Sequence, residues 1–356
     1  MRLAIFGLSV TSSWGNGHAT FWRALCRALA RRGHRIAFFE RDQPFYRAHR
    51  DLYALPDHDL HVYEAWQDVL PTARAAVKNA DVAIVTSYCA DALPASTLIC
   101  NEAPGVRVFY DMDTPVTLER LRAGETVAYL PPEGLGAFDL VLSYSGGPSL
   151  IALEQDLGAR RAVPLYGCID PVDYPLQFRQ PDVALTYLGT YADDRAAAFD
   201  RLLLASARMA PDQAFVVGGP QYPHPESWPP NVEYRAHVGQ PDHLEFYSRG
   251  RFTLNLTRGA MCTWGHCPSA RLFEAAACGT PLLTDRWPGL TDFFTPDEDV
   301  VVVDTAADVV AALRMGKDRH RSLRARARDR VLATCTADIR VRELERALDL
   351  NEAAAV

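Results

Sequence analysis

The chain has 356 residues, 48% of them hydrophobic, with 37 Lys and Arg against 44 Asp and Glu and a formal net charge of −7. That length predicts two domains rather than one, the apolar share supports fully folded α/β units, and the acidic balance argues against nucleic-acid binding. Eight cysteines without framework spacing predict reduced core residues of a cytoplasmic protein, and no run approaches the roughly 20 apolar residues of a membrane span.

In chain order, the run from Met1 predicts a strand at Leu3–Phe6 ending in a Gly7 turn, too short for a signal peptide. Gly15-Asn16-Gly17-His18 closes the next loop and opens a helix, whose apolar positions 21, 22, 25, 26 and 29 recur at helical spacing before Gly33 stops it. Further strands are expected at Arg35–Glu40, Val82–Thr86, Arg107–Tyr110 and Leu140–Ser143. Leu165–Asp170 reads as the last strand of the first half, and the Pro-rich text to Pro181 as a linker.

The second half repeats the alternation, with strands expected at Ala184–Leu188, Ala214–Gly218, Thr253–Leu256, Pro281–Thr284 and Val300–Val303 and helix from Thr305 to near Leu350. Alternating strands and helices imply parallel sheets covered on both faces. The predicted fold class is therefore α/β, two Rossmann-like domains facing each other across a cleft, spanning residues 1–172 and 182–335. Eight basic residues between Arg314 and Arg330, against two Asp, read first as a solvated helix face. Peripheral contact with an anionic membrane is the alternative, weakened by the lack of Trp or Phe beside the charges.

The most informative stretch is Ser269-Ala-Arg-Leu-Phe-Glu-Ala-Ala-Ala-Cys-Gly-Thr-Pro-Leu-Leu-Thr-Asp285. It places a hydroxyl, a guanidinium and a carboxylate on the first turns of a helix that stops at Gly279 and Pro281. A helix start attracts anions through its free N–H groups and dipole. Ser269 and Arg271 suit phosphate, whereas Glu274 would repel it and suits ribose hydroxyls. An intrahelical Arg271–Glu274 ion pair is the bland alternative. Gly189-Thr190, after a strand, lets a phosphate approach the backbone, and Arg258 stands just after the strand Thr253–Leu256, where ligands of open α/β sheets bind. Cys262, His266, Cys267 and Cys278 match no paired metal motif, so no metal site is expected.

The helix-Gly-x-Pro-strand pattern with its internal Glu resembles the donor-binding signature of GT-B-fold glycosyltransferases. The wider text Leu254-Asn-Leu-Thr-Arg258, Pro268-Ser-Ala-Arg-Leu-Phe-Glu274, Gly289-Leu and Phe293-Phe294 resembles the CgeB-like (spore-maturation-protein-like) group. The resemblance implies a metal-independent glycosyltransferase that moves a sugar from a nucleotide diphosphate sugar to an acceptor hydroxyl. The co-substrate would be a UDP-sugar, or as second choice a dTDP-sugar, and no cofactor would be permanently bound. The acceptor would be a saccharide, a glycoconjugate or a small molecule. It further implies that residues 336–356 form a helix crossing back onto the first domain, and that Arg195 takes the place of a diphosphate-pairing Lys. One departure stands out: His266 occupies the position usually held by a Glu.

In the first half, Gly17-His18 and Leu29-Ala-Arg-Arg-Gly33-His34 are similar to the start of the acceptor domain of inverting GT-B enzymes, which implies His18 as general base. A cap or surface residue is the equal alternative. Asp113, in Asp111-Met-Asp113 at the end of a strand, is the second candidate for acid/base or orienting work, or simply caps the turn before Pro115. Gly15, Gly17, Asp111 and Tyr144 would line the acceptor cleft. Competing functions are a nucleotide-sugar epimerase of the same fold, an NAD-dependent oxidoreductase with Glu40 as ribose ligand, and a non-catalytic nucleotide- or carbohydrate-binding protein. Donor base and sugar, acceptor, stereochemical outcome, oligomeric state and the role of His266 stay open at this level.

Overall fold

A computed structural model describes residues 1–348 apart from Phe178. The chain divides into two compact units, one holding Met1–Tyr166 with the helix Ala337–Leu348, the other Gly167–Thr336.

The first unit is built on seven strands: β1 (Arg2–Gly7), β2 (Arg35–Arg41), β3 (Asp59–Tyr63), β4 (Val82–Thr86), β5 (Val106–Asp111), β6 (Leu140–Ser143) and β7 (Ala162–Pro164). They pair in parallel in the order β3-β2-β1-β4-β5-β6-β7. All five residues of β4 are buried, as a central strand covered by helices on both faces requires. The helix Gly17–Arg31 starts where Asn16 accepts the His18 N–H at 3.1 Å, and it buries Trp22, Leu25 and Leu29. Helix Ala337–Leu348 packs on it through Arg31–Asp338 (2.9 Å), Arg32–Glu345 (2.6 Å) and His34–Glu345 (2.8 Å).

The second unit carries β8 (Val183–Leu188), β9 (Phe215–Gly218), β10 (Val232–Arg235), β11 (Gly250–Asn255), β12 (Leu282–Thr284) and β13 (Val300–Val302), all parallel, in the order β10-β9-β8-β11-β12-β13. Each sheet reverses its winding once, between β1 and β4 and between β8 and β11. Loops that leave adjacent strands at such a point diverge and open a crevice at the carboxyl edge.

Two expectations need correction. The last strand of the first half is Ala162–Pro164, not Leu165–Asp170, because β6 ends at Ser143 and offers no further partner after the Leu165 N–H reaches the Ser143 carbonyl. The closing segment is three helices, Ala306–Leu313, Lys317–Thr334 and Ala337–Leu348, interrupted at Gly316 and at Thr336, which bridges Ile169. Leu350 and the rest of the expected 336–356 helix beyond Leu348 lie outside the described residues. The basic stretch is a largely exposed helix face, as first read, on which Arg319 pairs with Asp297 (3.1 Å), Arg326 with Glu298 and Arg330 with Asp299, and Arg328 donates to the Tyr174 carbonyl.

Candidate functional site

Three arginines converge at the carboxyl edge of the second sheet, each delivered by a different element. Arg271, on the first turn of the helix Ala270–Cys278, is only 9% exposed. Its guanidinium donates to the Leu188 carbonyl at 2.6 Å and the Asn255 side chain at 2.9 Å, bridging the ends of β8 and β11, and it lies 5.1 Å from the Tyr187 ring. Arg195, from the helix Asp193–Phe199, folds back onto the Thr190 carbonyl and lies 5.9 Å from the same ring. Arg258 reaches Asp194 at 3.2 Å. Burial pulls the Arg195 pKa down, and repulsion from Arg271 and Arg258 adds to it. Cationic groups that repel one another at a switch point suit an anionic ligand.

The backbone around them is shaped for close approach. A Cβ on Gly189 would stand 2.6 Å from the Arg271 guanidinium, and one on Gly219, at φ +133°, would meet the Gly189 carbonyl at 2.1 Å. Only glycine fits at position 219, and a side chain at 189 would have to displace the Arg271 guanidinium. Ser269 holds the N-cap position of the Arg271 helix, yet its hydroxyl makes no capping bond, so the first N–H groups lack a side-chain acceptor.

Glu274 is deeper than its sequence role suggests. It is 4% exposed, accepts from the Tyr247 hydroxyl at 2.8 Å and lies 3.5 Å from His243. Burial alone would raise its pKa; His243, Tyr247 and Arg271 outweigh that and hold the carboxyl below its usual value. An anionic group is thus kept one turn behind the three arginines. Asp285, after β12, receives the Thr257 N–H and hydroxyl, both at 2.8 Å, while burial raises its pKa against those bonds and Arg271.

In the first unit, the loop after β1 is braced by Glu40, whose carboxylate accepts from Ser9 Oγ (2.7 Å), Val10 N (2.7 Å), Thr11 N (3.0 Å) and Thr11 Oγ1 (2.6 Å). That saturation removes Glu40 as a dinucleotide ribose ligand. Gly15, at φ +59°, turns the loop into the helix, and Gly17 is the helix's first residue. His18 follows, its Nδ1 sealed without a hydrogen-bond partner and its pKa lowered by burial to about 4. Its ring centroid is 5.8 Å from that of Tyr88, which leaves β4 and donates to Asp113 Oδ2 at 3.0 Å. Asp111 is fully buried, with Oδ1 accepting the Asp113 N–H at 3.1 Å and Oδ2 unpartnered. Burial, reinforced by the Asp113 charge, pushes its pKa up to about 6 against the Asp113 N–H and the neighbouring hydroxyls of Thr117 and Ser87, neither of which reaches Oδ2. Tyr144 extends from the end of β6, its N–H on the Asp111 carbonyl at 2.9 Å.

Residues 195–346 match the family model described as glycosyl transferase-like. That match lies in the C-terminal part of the chain and covers less than half of it. Solved structures agree on architecture over the whole chain. Sucrose-phosphate synthase from Thermosynechococcus elongatus superposes with a TM-score of 0.72 at 15% identity, covering 100% of both chains. HepE from Anabaena, in complex with UDP and glucose, gives 0.67 at 12%, covering 98% of this chain and 99% of that one. An α-glucosyltransferase in complex with UDP gives 0.71 at 13%, with the same coverage. The fold is GT-B. No curated protein matches the sequence.

The second unit holds Gly189, Thr190, Arg195, Arg258, Arg271 and Glu274, and the first His18, Asp111, Asp113 and Tyr144. Sequence reasoning missed Asn255, Asp285, Tyr247, His243 and Tyr88. Asn255 carried a usable signal, a polar residue inside the apolar run of β11, and Tyr88 none. The other histidine in question, His266, sits at φ +47° with Nδ1 2.5 Å from Asp292. Among the described residues no group of three His, Cys, Asp or Glu is arranged to hold a metal ion, and no helix is long and apolar enough to cross a membrane.

Proposed function

We propose that the protein transfers a hexosyl group from a UDP-sugar to an acceptor hydroxyl, with the donor's diphosphate held by Arg195, Arg258 and Arg271 and by the start of the helix Ala270–Cys278. The observation that carries this reading is the grouping of Arg195 and Arg258 with Arg271, which stands on an uncapped helix start, beside the closely approached Gly189 and Gly219. Charge builds on the leaving diphosphate in the transition state, and preorganised cations stabilise it more than they stabilise the intact donor. Glu274, kept ionised, accepts from the ribose hydroxyls; Ser269 adds a hydroxyl to the phosphate, and Gly189 and Thr190 give it backbone. The CgeB-like group is the subfamily we assign, on the Pro268–Glu274 text.

The first unit takes the acceptor, with His18 and Asp113 handling its hydroxyl and Gly15, Gly17, Asp111 and Tyr144 around them. The sealed Nδ1 of His18 meets no carboxylate, so an imidazolium there lacks the partner that a strong general base relies on. A retaining displacement, in which the departing diphosphate oxygen takes the acceptor proton, demands least of His18 and is the outcome we favour. The acceptor is a saccharide, a glycoconjugate or a small molecule, and the site of action is cytoplasmic.

Screening UDP-, dTDP-, GDP- and ADP-sugars for nucleotide release with EDTA present tests the reading. Release from a UDP-sugar that survives EDTA is expected, because arginines already oppose the diphosphate charge. Release from none of the four, or only with Mg²⁺ or Mn²⁺ restored, would contradict it.

A further inference from the structure

Tyr88 takes part in no motif, yet two costs in the fold converge on it. It sits at φ +61°, directly after β4, in the left-handed region that bulky residues avoid and Gly or Asn enter freely. Asp113, its hydrogen-bond partner, occupies the N-cap position of the helix Thr114–Arg122 and makes no capping bond there, although Asp is among the best capping residues. Both departures serve one contact, the Tyr88 hydroxyl on Asp113 Oδ2 at 3.0 Å.

We propose that Tyr88 is a positioning residue of the acceptor edge, turning Asp113 away from its helix and fixing its carboxylate on the same edge as His18. The backbone conformation aims the phenol at Asp113. Tyr129 backs the ring at a centroid distance of 4.8 Å and is itself held by a 2.7 Å bond between its hydroxyl and Thr117 Oγ1, so the tyrosine has little room to turn. The ring of His18 lies 5.8 Å away on the loop from β1, so one side chain spans both loops of the switch point. Burial, and then the charge of Asp113, raise the Tyr88 pKa far above the usual phenol range, so the hydroxyl stays a donor at any working pH.

The inference rests on the reading of this edge as the acceptor side, and the test separates the two. Turnover is measured as UDP release from UDP-glucose with water as acceptor, in the parent, Tyr88→Phe, Asp113→Asn and the double variant. Phe keeps the ring and packing and removes only the hydroxyl. Each single change is expected to lower kcat about tenfold with the donor KM within about twofold, and the double variant to fall no further than the worse single one, as members of one unit do. The acid limb of the pH profile should move up in Tyr88→Phe, since Asp113 loses a donor to its ionised form. Parent-like turnover in Tyr88→Phe with loss in Asp113→Asn would overturn the role of Tyr88 alone, whereas parent-like turnover in both would overturn the acceptor edge and the inference with it. If UDP-glucose proves inert, carboxyl ¹³C titration of aspartate-labelled protein decides. An Asp113 midpoint unchanged by Tyr88→Phe would refute the proposal, and a rise would support it.

Discussion

The carboxyl edges of the two sheets occupy equivalent places in the topology and differ in how their charged side chains are held. In the second unit the Arg271 guanidinium is bonded to Leu188 and Asn255, Asp285 to Thr257, and Glu274 to Tyr247, and the buried groups without partners there are the Tyr187 hydroxyl and His243 Nδ1. In the first, His18 Nδ1 and Asp111 Oδ2 are buried without partners and Tyr88 is strained. A satisfied network holds charges in fixed positions, as binding a diphosphate requires, while unsatisfied groups and strain persist where the rest of the fold stabilises an arrangement needed for something other than stability.

Breaking the satisfied edge should have the largest effect. Arg271→Ala removes the proposed phosphate contact and leaves the Leu188 carbonyl and Asn255 without their donor. Nucleoside diphosphate affinity should fall about ten- to a hundredfold, from the roughly 1.5–3 kcal/mol of a charge-assisted bond. The melting temperature should fall as well, because the side chain is buried and ties two strands together.

The unsatisfied edge should respond in the opposite sense. The rise of Asp111 from an ordinary 3.8 to about 6 corresponds to about 3 kcal/mol. A carboxyl raised on folding makes the folded state bind more protons between those values, so stability falls as pH climbs from about 4 to 6 and the penalty is complete above 6. Asp111→Asn should therefore stabilise the protein at pH 7 and leave it unchanged near pH 3, read by urea denaturation across pH. Destabilisation at pH 7 would mean that the carboxylate has a partner this account lacks.

His18 carries the smaller, opposite slope. Its fall from 6.5 to about 4 means that the unfolded chain binds more protons in that window, so its contribution to stability grows as pH rises through it. The ring keeps a partly exposed edge, which discounts the effect to about 2 kcal/mol. His18→Gln should remove that term, making stability between pH 4 and 6 decline more steeply with rising pH than in the parent. An unchanged slope would show that the ring is solvated.

The contrast between the edges also explains what the sequence revealed. Interior strands such as Val82–Thr86 and Leu140–Ser143 were readable because burial on both faces leaves an unbroken apolar run. The two strands that escaped notice, Asp59–Tyr63 and Val232–Arg235, end their sheets, where one side faces solvent and the text turns polar. Arg271 and Glu274 were legible because a charged pair on a small-residue helix start has few structural explanations. The place of the first half's last strand, Ala162–Pro164 rather than Leu165–Asp170, and the breaks in the closing helix were not, since both depend on where a neighbouring chain segment ends. Tyr88 lay beyond reach for a related reason: its backbone angle and its partner 25 residues away exist only in the fold.

The central claim is that the second sheet's edge binds the diphosphate of a nucleotide sugar. It is tested most directly by titrating UDP calorimetrically, with EDTA present, into the parent and into Gly189→Ala. That variant keeps every charge and adds one methyl group 2.6 Å from the Arg271 guanidinium. The account predicts micromolar binding, about −8 kcal/mol, to the parent, and a loss of at least tenfold in Gly189→Ala. Absence of binding by the parent, or equal affinity in both proteins, would contradict it.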